Sequence, residues 1–564
     1  MPEPDLAKIA ELGINYIVSN PDPKTGYIPY FGAKVPLHGL PYIERTPWDF
    51  ADQTGRMMEA AQYARLVTRS ERGLDVERGT WNAMLGYFEE DGLPYTPDTP
   101  WSQHSVHGIW PGTALALKCH LTGDKRSREL LEKLVGAVDR ISEFKDGYRQ
   151  IWGVYAGGKW IDKTVQHAAF YCNAMLWAGK LAGMERAFDL GKELVRSSLD
   201  GPFQVLDLDG NFLETGLSKK DEDQLTSGKF QTLDYSEMAE VGKAWLVVSG
   251  HVHTRTLSLQ NILMVGLETG QREYVECAKK GIDIILEQCG SSFGWIAENL
   301  YTAGIESSEM CCLVDTLLLL VSLAENGYPE YWGTIERFVR NHLVKSQFVL
   351  DDAMREVMKE NLKETPPTVT DDSRTYRDVL ERIEGGYAGP IYANDIFSYY
   401  PSSRSNPNAK KLIDVSGCCS PSGIKAVCFA YDAIASLKNG DCTINLSLTR
   451  DDDDISIRST RDDDGTIEIQ SKRDLNVRYR LPDWINAETV TLSVDGKERE
   501  TDISEDGMLE IGSLSGGQKA AVSMAVPEKT SRENVGRVDH EIQWRGDTIV
   551  GMEGGDDPSY RLYG

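Results

Sequence analysis

A change of hydrophobic periodicity near residue 438 constrains the fold of this chain more than any other feature. From about residue 48 to 437, apolar residues recur at i, i+3, i+4 and i+7, which is the spacing of one face of an α-helix. The predicted helices span 52–68, 110–121, 128–144, 165–182, 184–199, 235–248, 254–268, 272–288, 311–325, 331–349 and 422–437. Many helices in series, without an obvious repeat, favour helical hairpins stacked or closed into a toroid over a regular solenoid.

After residue 439 the pattern becomes short stretches of alternating apolar and polar residues, separated by Asp and Gly. This pattern is typical of strands joined by turns. The predicted strands are 442–449, 454–459, 465–471, 477–481, 489–494, 508–511 and 520–526. The sequence therefore predicts a mainly α domain over residues 1–437, which carries the chemistry, and an all-β sandwich domain over residues 438–564.

Composition narrows the classes of partner. The 564 residues carry 60 Lys and Arg against 87 Asp and Glu, a net charge of -27, which argues against nucleic acid or an anionic membrane as partner. The apolar run 311–323 is too short for a membrane helix and contains Asp315. No secretory signal is visible at residues 1–5, so a cytoplasmic location is expected, with export after signal removal left open. A homodimer is compatible with the sequence but not required by it.

Two cysteine pairs give the best indication of function. They are Glu309-Met310-Cys311-Cys312 and Cys418-Cys419, and each precedes a strongly apolar helical run. Adjacent cysteines rarely bond each other, and a helix N-terminus or a bound cation stabilises a thiolate. One carboxylate and three thiolates would complete a tetrahedral zinc site. Buried cysteines that act as small hydrophobes remain the alternative. The spacing alone does not separate a structural site from one whose thiolate acts as a nucleophile.

The order of motifs resembles glycoside hydrolase family 127, the β-L-arabinofuranosidase-like enzymes, over most of the chain. The Glu-x-Cys motif at Glu309 and the later Cys418-Cys419 pair are the specific part. The other matching positions are Pro47 to Phe50, Asp52, Gly55, Arg56, Tyr171-Cys172, Gly250-His251, Arg255, residues 479–484 and residues 544–547. The chain departs from the family at the additional thiol Cys312 and at Lys425, which indicates a divergent member and leaves the sugar open.

The resemblance implies a six-hairpin α/α toroid followed by a β-sandwich, with carbohydrate as substrate. It also implies Zn²⁺ held by Glu309, Cys311, Cys418 and Cys419. Cys418 would be the nucleophile of a retaining double displacement through a thioglycosyl intermediate. Glu298 is the expected general acid/base, and Glu306 is the alternative.

Further residues are candidates for binding the sugar. By resemblance, His251 contacts substrate hydroxyl groups, although capping of the following helix explains it equally well. His167, Trp48, Asp49 and Asn299 are the other predicted substrate-binding residues; for a single histidine or tryptophan, core packing is the competing interpretation. The loop containing Asn394, Asp395 and Tyr399 is a candidate lining of the cleft.

The sequence thus predicts a zinc-dependent, retaining glycoside hydrolase that acts on a terminal furanoside or a modified sugar. Two rivals share part of this evidence. One is a polysaccharide lyase on the same toroid, for which an acidic surface is awkward because its substrate is a polyanion. The other is a carbohydrate-binding protein without activity, in which zinc has only a structural role.

Overall fold

A computed structural model describes residues 3–46, 50–99, 102, 104–161, 165–213, 250–300, 303–369, 372–400, 410–555 and 557–564. The predicted helix at 235–248 and the predicted substrate-binding residues Trp48 and Asp49 lie outside these residues. None of the helices in the described ranges combines the length and the low polarity needed to cross a membrane.

The region up to residue 434 is mainly helical, as the periodicity predicts. Its α-helices in the described ranges are α1 Leu6–Ser19, α2 Phe50–Thr68, α3 Leu74–Gly86, α4 Pro111–Thr122, α5 Lys125–Ile141, α6 Ala168–Ala182, α7 Glu185–Leu199, α8 Val252–Thr269, α9 Arg272–Cys289, α10 Met310–Glu325, α11 Tyr331–Phe338, α12 Asp352–Met358, α13 Val379–Ile383 and α14 Cys419–Ala433. Helix α11 continues as a π-helix over Val339–Leu343.

Within the described residues, six of these helices contact one another in cyclic order. Helix α2 packs against α4, α4 against α6, α6 against α8, α8 against α10, α10 against α14, and α14 packs back against α2. Helices α3, α5, α7, α9 and α11 each pack on the ring helix that precedes them in the chain, and α1 packs on α14 and α2. The ring helices are buried around most of their circumference, whereas α5 and α7 bury one stripe. An inner layer of apolar helices is thus covered by an outer layer of amphipathic ones.

A five-stranded antiparallel sheet interrupts the helical region and was not predicted. The strands of the helical region are β1 Gly32–Pro36, β2 Tyr42–Glu44, β3 Val106–His107, β4 Glu143–Lys145, β5 Tyr148–Gln150, β6 Val154–Ala156, β7 Lys159–Trp160, β8 Arg374–Thr375, β9 Ser398–Tyr400 and β10 Lys410–Asp414. The strand order in the five-stranded sheet is β8-β2-β1-β10-β9, so the sheet joins strands near the N-terminus to strands near residue 410.

The C-terminal region is built of strands, and each of the seven predicted strands overlaps an observed one. They are β11 Ala435–Lys438, β12 Asp441–Ile444, β13 Arg450–Asp451, β14 Ile455–Ser459, β15 Thr466–Ser471, β16 Leu475–Arg480, β17 Thr491–Val494, β18 Lys497–Arg499, β19 Asp502–Ile503, β20 Met508–Leu514, β21 Lys519–Ser523, β22 Glu528–Val535, β23 Val538–Arg545 and β24 Thr548–Glu553, with a short helix α15 at Arg461–Asp464. They form sheets ordered β11-β12-β16-β20-β19, β13-β14-β15-β21-β17-β18 and β22-β23-β24.

Several predicted boundaries were wrong. The helix predicted at 128–144 ends at Ile141, because Phe144 belongs to the hairpin of β4 and β5. The helix predicted at 422–437 begins at Cys419 and ends at Ala433, and residues 435–438 pair with β12 instead. Strand structure therefore begins just before the predicted boundary at residue 438, and the division into two domains stays a prediction.

Candidate metal centre

The two cysteine motifs meet at the N-termini of adjacent ring helices. Glu309 is the N-cap residue of α10 and Cys418 is the N-cap residue of α14. Strand β10 fixes the second motif, because it pairs with β1 and the Gly417 amide then donates to the Phe31 carbonyl oxygen at 2.6 Å. The second motif thus enters its helix from a fixed backbone, and both motifs lie at helix N-termini, as predicted.

The side chains of Glu309, Cys311, Cys418 and Cys419 form one cluster. One carboxylate oxygen and the three Sγ atoms all lie within 4.8 Å of one another. The Sγ atom of Cys419 lies 3.8 Å from that of Cys311 and 3.7 Å from that of Cys418. Two thiolates at about 2.3 Å from a tetrahedral zinc ion are about 3.8 Å apart, so these two separations match an edge of a tetrahedral zinc site. The predicted ligand set is therefore brought together.

The three thiols differ in acidity. Hydrogen bonds with Cys311 and Cys419 hold the pKa of the Cys418 thiol well below its ordinary value, despite burial. Hydrogen bonding to Cys418 raises the pKa of the Cys311 thiol well above the ordinary value, and hydrogen bonding to Cys311 and Cys418 does the same to the pKa of the Cys419 thiol. Cys418 is also the only one of the three that is partly exposed; the other two are 1% exposed. Cys418 is therefore both the most acidic and the most accessible thiol of the cluster.

His251 joins this cluster through Glu309. Its Nε2 atom lies 3.1 Å from Oε2 of Glu309. Burial opposes a charge on His251, but the Glu309 carboxylate outweighs burial and raises the pKa of the imidazole. Burial would likewise raise the pKa of the Glu309 carboxyl, yet His251 lowers that pKa to about 2. The two side chains thus stabilise each other's charged forms.

A buried arginine faces the thiols from α2. The guanidinium of Arg56 bonds Asp52 at 2.9 Å, stacks 3.6 Å from the ring of Trp110 and donates to the Ser422 hydroxyl at 3.4 Å. The Ser422 oxygen lies 3.9 Å from Sγ of Cys311. The positive charge of Arg56 helps to lower the pKa of Cys418. Cation stacking on an indole also fixes the arginine in place.

The predicted acid/base residue lies beside His251. Glu298 is 8% exposed, its carbonyl oxygen accepts the Val252 amide at 3.0 Å, and its charge helps to raise the pKa of His251. The neighbouring Asn299 is buried and forms an antiparallel bridge with His251. The alternative, Glu306, instead has Arg537 of the β22–β23 turn at 4.0 Å. The surroundings therefore favour Glu298.

A row of aromatic and histidine rings connects His167 to the cluster. Ring centroids are 5.6 Å apart for His167 and Phe170, 5.4 Å for Phe170 and His253, and 5.7 Å for His253 and His251. His107 stands 6.1 Å from His167 at the far end. His167 thus lies on the same side of the ring of helices as the thiols, beside Phe170 and His107, which the sequence did not single out.

Five of the six ring helices present their N-cap residue at this one end, and α2 contributes Arg56 from its second turn. The contributors are Arg56 of α2, Trp110 before α4, His167 before α6, His251 before α8, Glu309 before α10 and Cys418 before α14. Helix N-termini carry partial positive charge. They therefore favour thiolate and carboxylate forms at the cluster.

The three residues of the candidate cleft loop have structural partners. Asn394 accepts the amides of Leu562 and Tyr563, and Asp395 accepts those of Ser559 and Tyr560, so both anchor the C-terminal segment. Tyr399 lies in strand β9 and pairs with β10. Polar residues in an irregular stretch predict a binding loop only weakly, because anchoring a chain terminus needs the same residue types.

Comparison with known proteins supports the fold. No protein-family model matches the sequence, and no curated protein sequence matches it. Among solved structures, the chain is similar to a family 127 β-L-arabinofuranosidase from Geobacillus stearothermophilus T6, with a TM-score of 0.56 at 12% identity over 90% of this chain and 77% of that one. It is also similar to a glycoside hydrolase, with a TM-score of 0.54 at 11% identity over 94% of this chain and 84% of that one.

These similarities define the class of fold, that of family 127 glycoside hydrolase structures. The predicted resemblance is thereby confirmed at the level of the fold, at an identity that fits a divergent relative.

Proposed function

We propose that this protein is a retaining glycoside hydrolase whose nucleophile is Cys418, part of a zinc site formed with Glu309, Cys311 and Cys419. The observation that carries the proposal is the clustering of these four ligand atoms within 4.8 Å at the N-termini of two adjacent ring helices, α10 and α14. The ring helices and their outer partners are proposed to be the six hairpins of an α/α toroid, and the C-terminal sheets its β-sandwich. Supporting this, the chain has the fold of a family 127 β-L-arabinofuranosidase.

The donor set suits zinc better than a hard cation. Three thiolates are soft ligands, which exclude Mg²⁺ and Ca²⁺, and the separations of 3.7 and 3.8 Å match a tetrahedral edge. When bound, zinc would keep the thiols deprotonated at neutral pH and hold them in place. The chain adds to both effects through Arg56 and the helix N-termini.

The chain's own residues account for a double displacement. The Cys418 sulfur attacks the anomeric carbon as the bond from that carbon to the leaving oxygen breaks, and the Glu298 carboxylic acid donates a proton to the leaving oxygen. The Glu298 carboxylate then takes a proton from water, whose oxygen displaces the Cys418 sulfur from the sugar. Two inversions at one carbon retain its configuration.

His251, Asn299 and His167 are proposed to bind the sugar hydroxyl groups, and a terminal furanoside of the β-L-arabinofuranoside type is the proposed substrate. The support for this substrate is the fold likeness, the contact of His251 with Glu309, and the bridge between His251 and Asn299, the residue that follows Glu298. Trp48 and Asp49, in the segment just before α2, complete the proposed sugar-binding set.

The test combines metal content with turnover. Purified wild-type protein should contain about one zinc per chain, cleave an aryl β-L-arabinofuranoside within a panel of aryl furanosides, and release the sugar with retained configuration by NMR. Cys418→Ser should abolish turnover, and a slow substrate should leave a glycosyl adduct on Cys418 in intact-protein mass spectrometry. Cys428→Ala, a buried thiol of α14 outside the cluster, is the control and should leave both properties unchanged.

Full turnover by folded Cys418→Ser would remove the nucleophile from the proposal. An unsaturated, ultraviolet-absorbing product from a uronic-acid polymer would replace hydrolysis with elimination. Bound zinc with no turnover on the whole panel would leave a structural metal site in a carbohydrate-binding protein.

A further inference from the structure

Two hydrogen-bond donors meet on one oxygen atom of Glu309. The Cys312 thiol donates to Oε2 of Glu309 at 3.3 Å, and Nε2 of His251 lies 3.1 Å from the same atom. Within the described residues, no side chain other than these two bonds the Glu309 carboxylate. The second oxygen, Oε1, is therefore left for another partner.

The backbone of α10 places the Cys312 thiol next to the Glu309 carboxylate. Glu309 is the N-cap residue, and Cys312 follows it by three positions, so its amide donates to the Glu309 carbonyl oxygen at 3.1 Å. Cys312 is completely buried, and its sulfur does not belong to the cluster of four ligand atoms. Its only polar contact in the described structure is with the carboxylate, which distinguishes it from Cys311, the adjacent thiol of the cluster.

We infer that Cys312 is a positioning residue of the metal centre: with His251 it holds Oε2 of Glu309, so that the carboxylate offers Oε1 alone to the metal. A carboxylate that binds through one oxygen keeps the site four-coordinate, as thiolate-rich zinc sites are. Hydrogen bonds to the non-ligating atoms of metal ligands typically change metal affinity by about 10- to 100-fold. This role rests on the zinc site of the proposed function and is independent of the sugar chemistry.

The experiment measures zinc affinity on the full-length protein by competition with a chromophoric chelator. Three variants are compared with wild type. Cys312→Ala removes the hydrogen-bond donor to Glu309, whereas Cys312→Ser replaces the thiol with a hydroxyl donor. Cys428→Ala removes a buried thiol that lies outside the cluster. Zinc is then replaced by cobalt, because the sulfur-to-cobalt charge-transfer band reports how many thiolates bind the metal.

The expected result is a zinc affinity about tenfold or more weaker in Cys312→Ala, within about threefold of wild type in Cys312→Ser, and unchanged in Cys428→Ala. The charge-transfer band should keep its wild-type intensity per cobalt ion in all three. Wild-type affinity in Cys312→Ala would overturn the inference while leaving the zinc site intact. A weaker charge-transfer band in Cys312→Ser would also overturn it, because Cys312 would then be a ligand. A wild-type protein that binds no zinc would overturn the inference together with the proposed metal centre.

Discussion

The Nδ1 atom of His253 lies 2.5 Å from the Oδ2 atom of Asp315, and this pair links ring helices α8 and α10 just behind the metal centre. Both side chains are buried, at 5% and 6% exposure. Thr256 donates to the same carboxylate at 3.3 Å, and Gln260 donates to the Asp315 carbonyl oxygen at 2.7 Å. The spacing of Glu309 and His251, which sit on the ends of these two helices, therefore depends on Asp315.

Replacing this carboxylate should weaken the fold. Asp315→Asn keeps the size of the side chain but removes its charge, and loss of a charge-assisted buried hydrogen bond costs about 1–3 kcal/mol. We expect the free energy of unfolding, measured with urea, to fall by that amount. Asp453→Asn is the matched control, because Asp453 pairs with Arg69 on the surface and its side chain is 81% exposed. Equal effects of the two substitutions would contradict the role of the buried pair.

Close packing between α2 and α4 depends on a glycine. A Cβ atom at Gly55 would lie 2.4 Å from the backbone nitrogen of Pro111 and 2.5 Å from the carbonyl carbon of Trp110. Gly55→Ala should therefore lower the free energy of unfolding by about 1–3 kcal/mol, because the two helices must separate.

The control for this prediction is Gly136→Ala in α5, where an added Cβ meets no atom within 4 Å. Alanine is the better helix former, so this variant should be more stable by up to about 1 kcal/mol. Thermal or urea unfolding measures both changes. A stabilising effect at both glycines would show that the ring helices tolerate a wider separation.

Acid pH should weaken the junction between the helical and β regions. Glu336 of α11 is fully buried among Arg340 at 3.0 Å, Arg461 at 2.8 Å and Arg480 at 3.2 Å. Burial would raise the pKa of Glu336, but the three guanidinium groups outweigh it and lower the pKa to about 2. Because the folded-state pKa is below the ordinary value of 4.5, this group stabilises the fold above about pH 4.5 and loses that contribution as pH falls towards 2.

The measurement compares wild type with Glu336→Gln in urea at several pH values. The shift from 4.5 to about 2 corresponds to at most about 3 kcal/mol. Wild type should exceed the variant by about this amount at pH 7, and the difference should shrink as pH falls below 4.5. Glu468→Gln, at an exposed carboxylate 3.6 Å from Arg458, should show almost no difference at any pH. A constant gap between wild type and Glu336→Gln would contradict the prediction.

Local sequence patterns predicted most of the long helices, although not α1 or α3, and the four candidate ligands. The helical periodicity is clear in the outer helices α5, α7 and α9, because each packs on one side against a ring helix and its period records that burial. Glu309, Cys311, Cys418 and Cys419 stood out because paired thiols before apolar helices are rare. Their convergence follows from the contact of α10 with α14, which no local pattern records.

The features that could not be predicted from the sequence depend mostly on partners that are distant along the chain. Helix α3 is largely polar, so its period is weak. Strand β10 pairs with β1 across more than 370 residues, and neither strand is long enough to show alternation. Asp315 was visible as an acid within an apolar run, but no local pattern paired it with His253, which lies 62 positions earlier. A buried acid requires a partner, and only the fold identifies which one.

The last prediction separates the two candidate acid/base residues. Glu298→Gln should lower kcat by about 10²- to 10⁴-fold on substrates with poor leaving groups, because protonation of the leaving oxygen is lost. The loss should be smaller for an activated aryl leaving group, which needs little protonation, and an added anionic nucleophile such as azide should restore part of the second step. Glu306→Gln is the matched comparison, because it makes the same change of charge at equal size in a side chain that lies 4.0 Å from Arg537. It should leave kcat within a few-fold of wild type. If Glu306→Gln instead shows the leaving-group dependence, the acid approaches the sugar from the side of the β22–β23 turn, and Glu298 only supports His251.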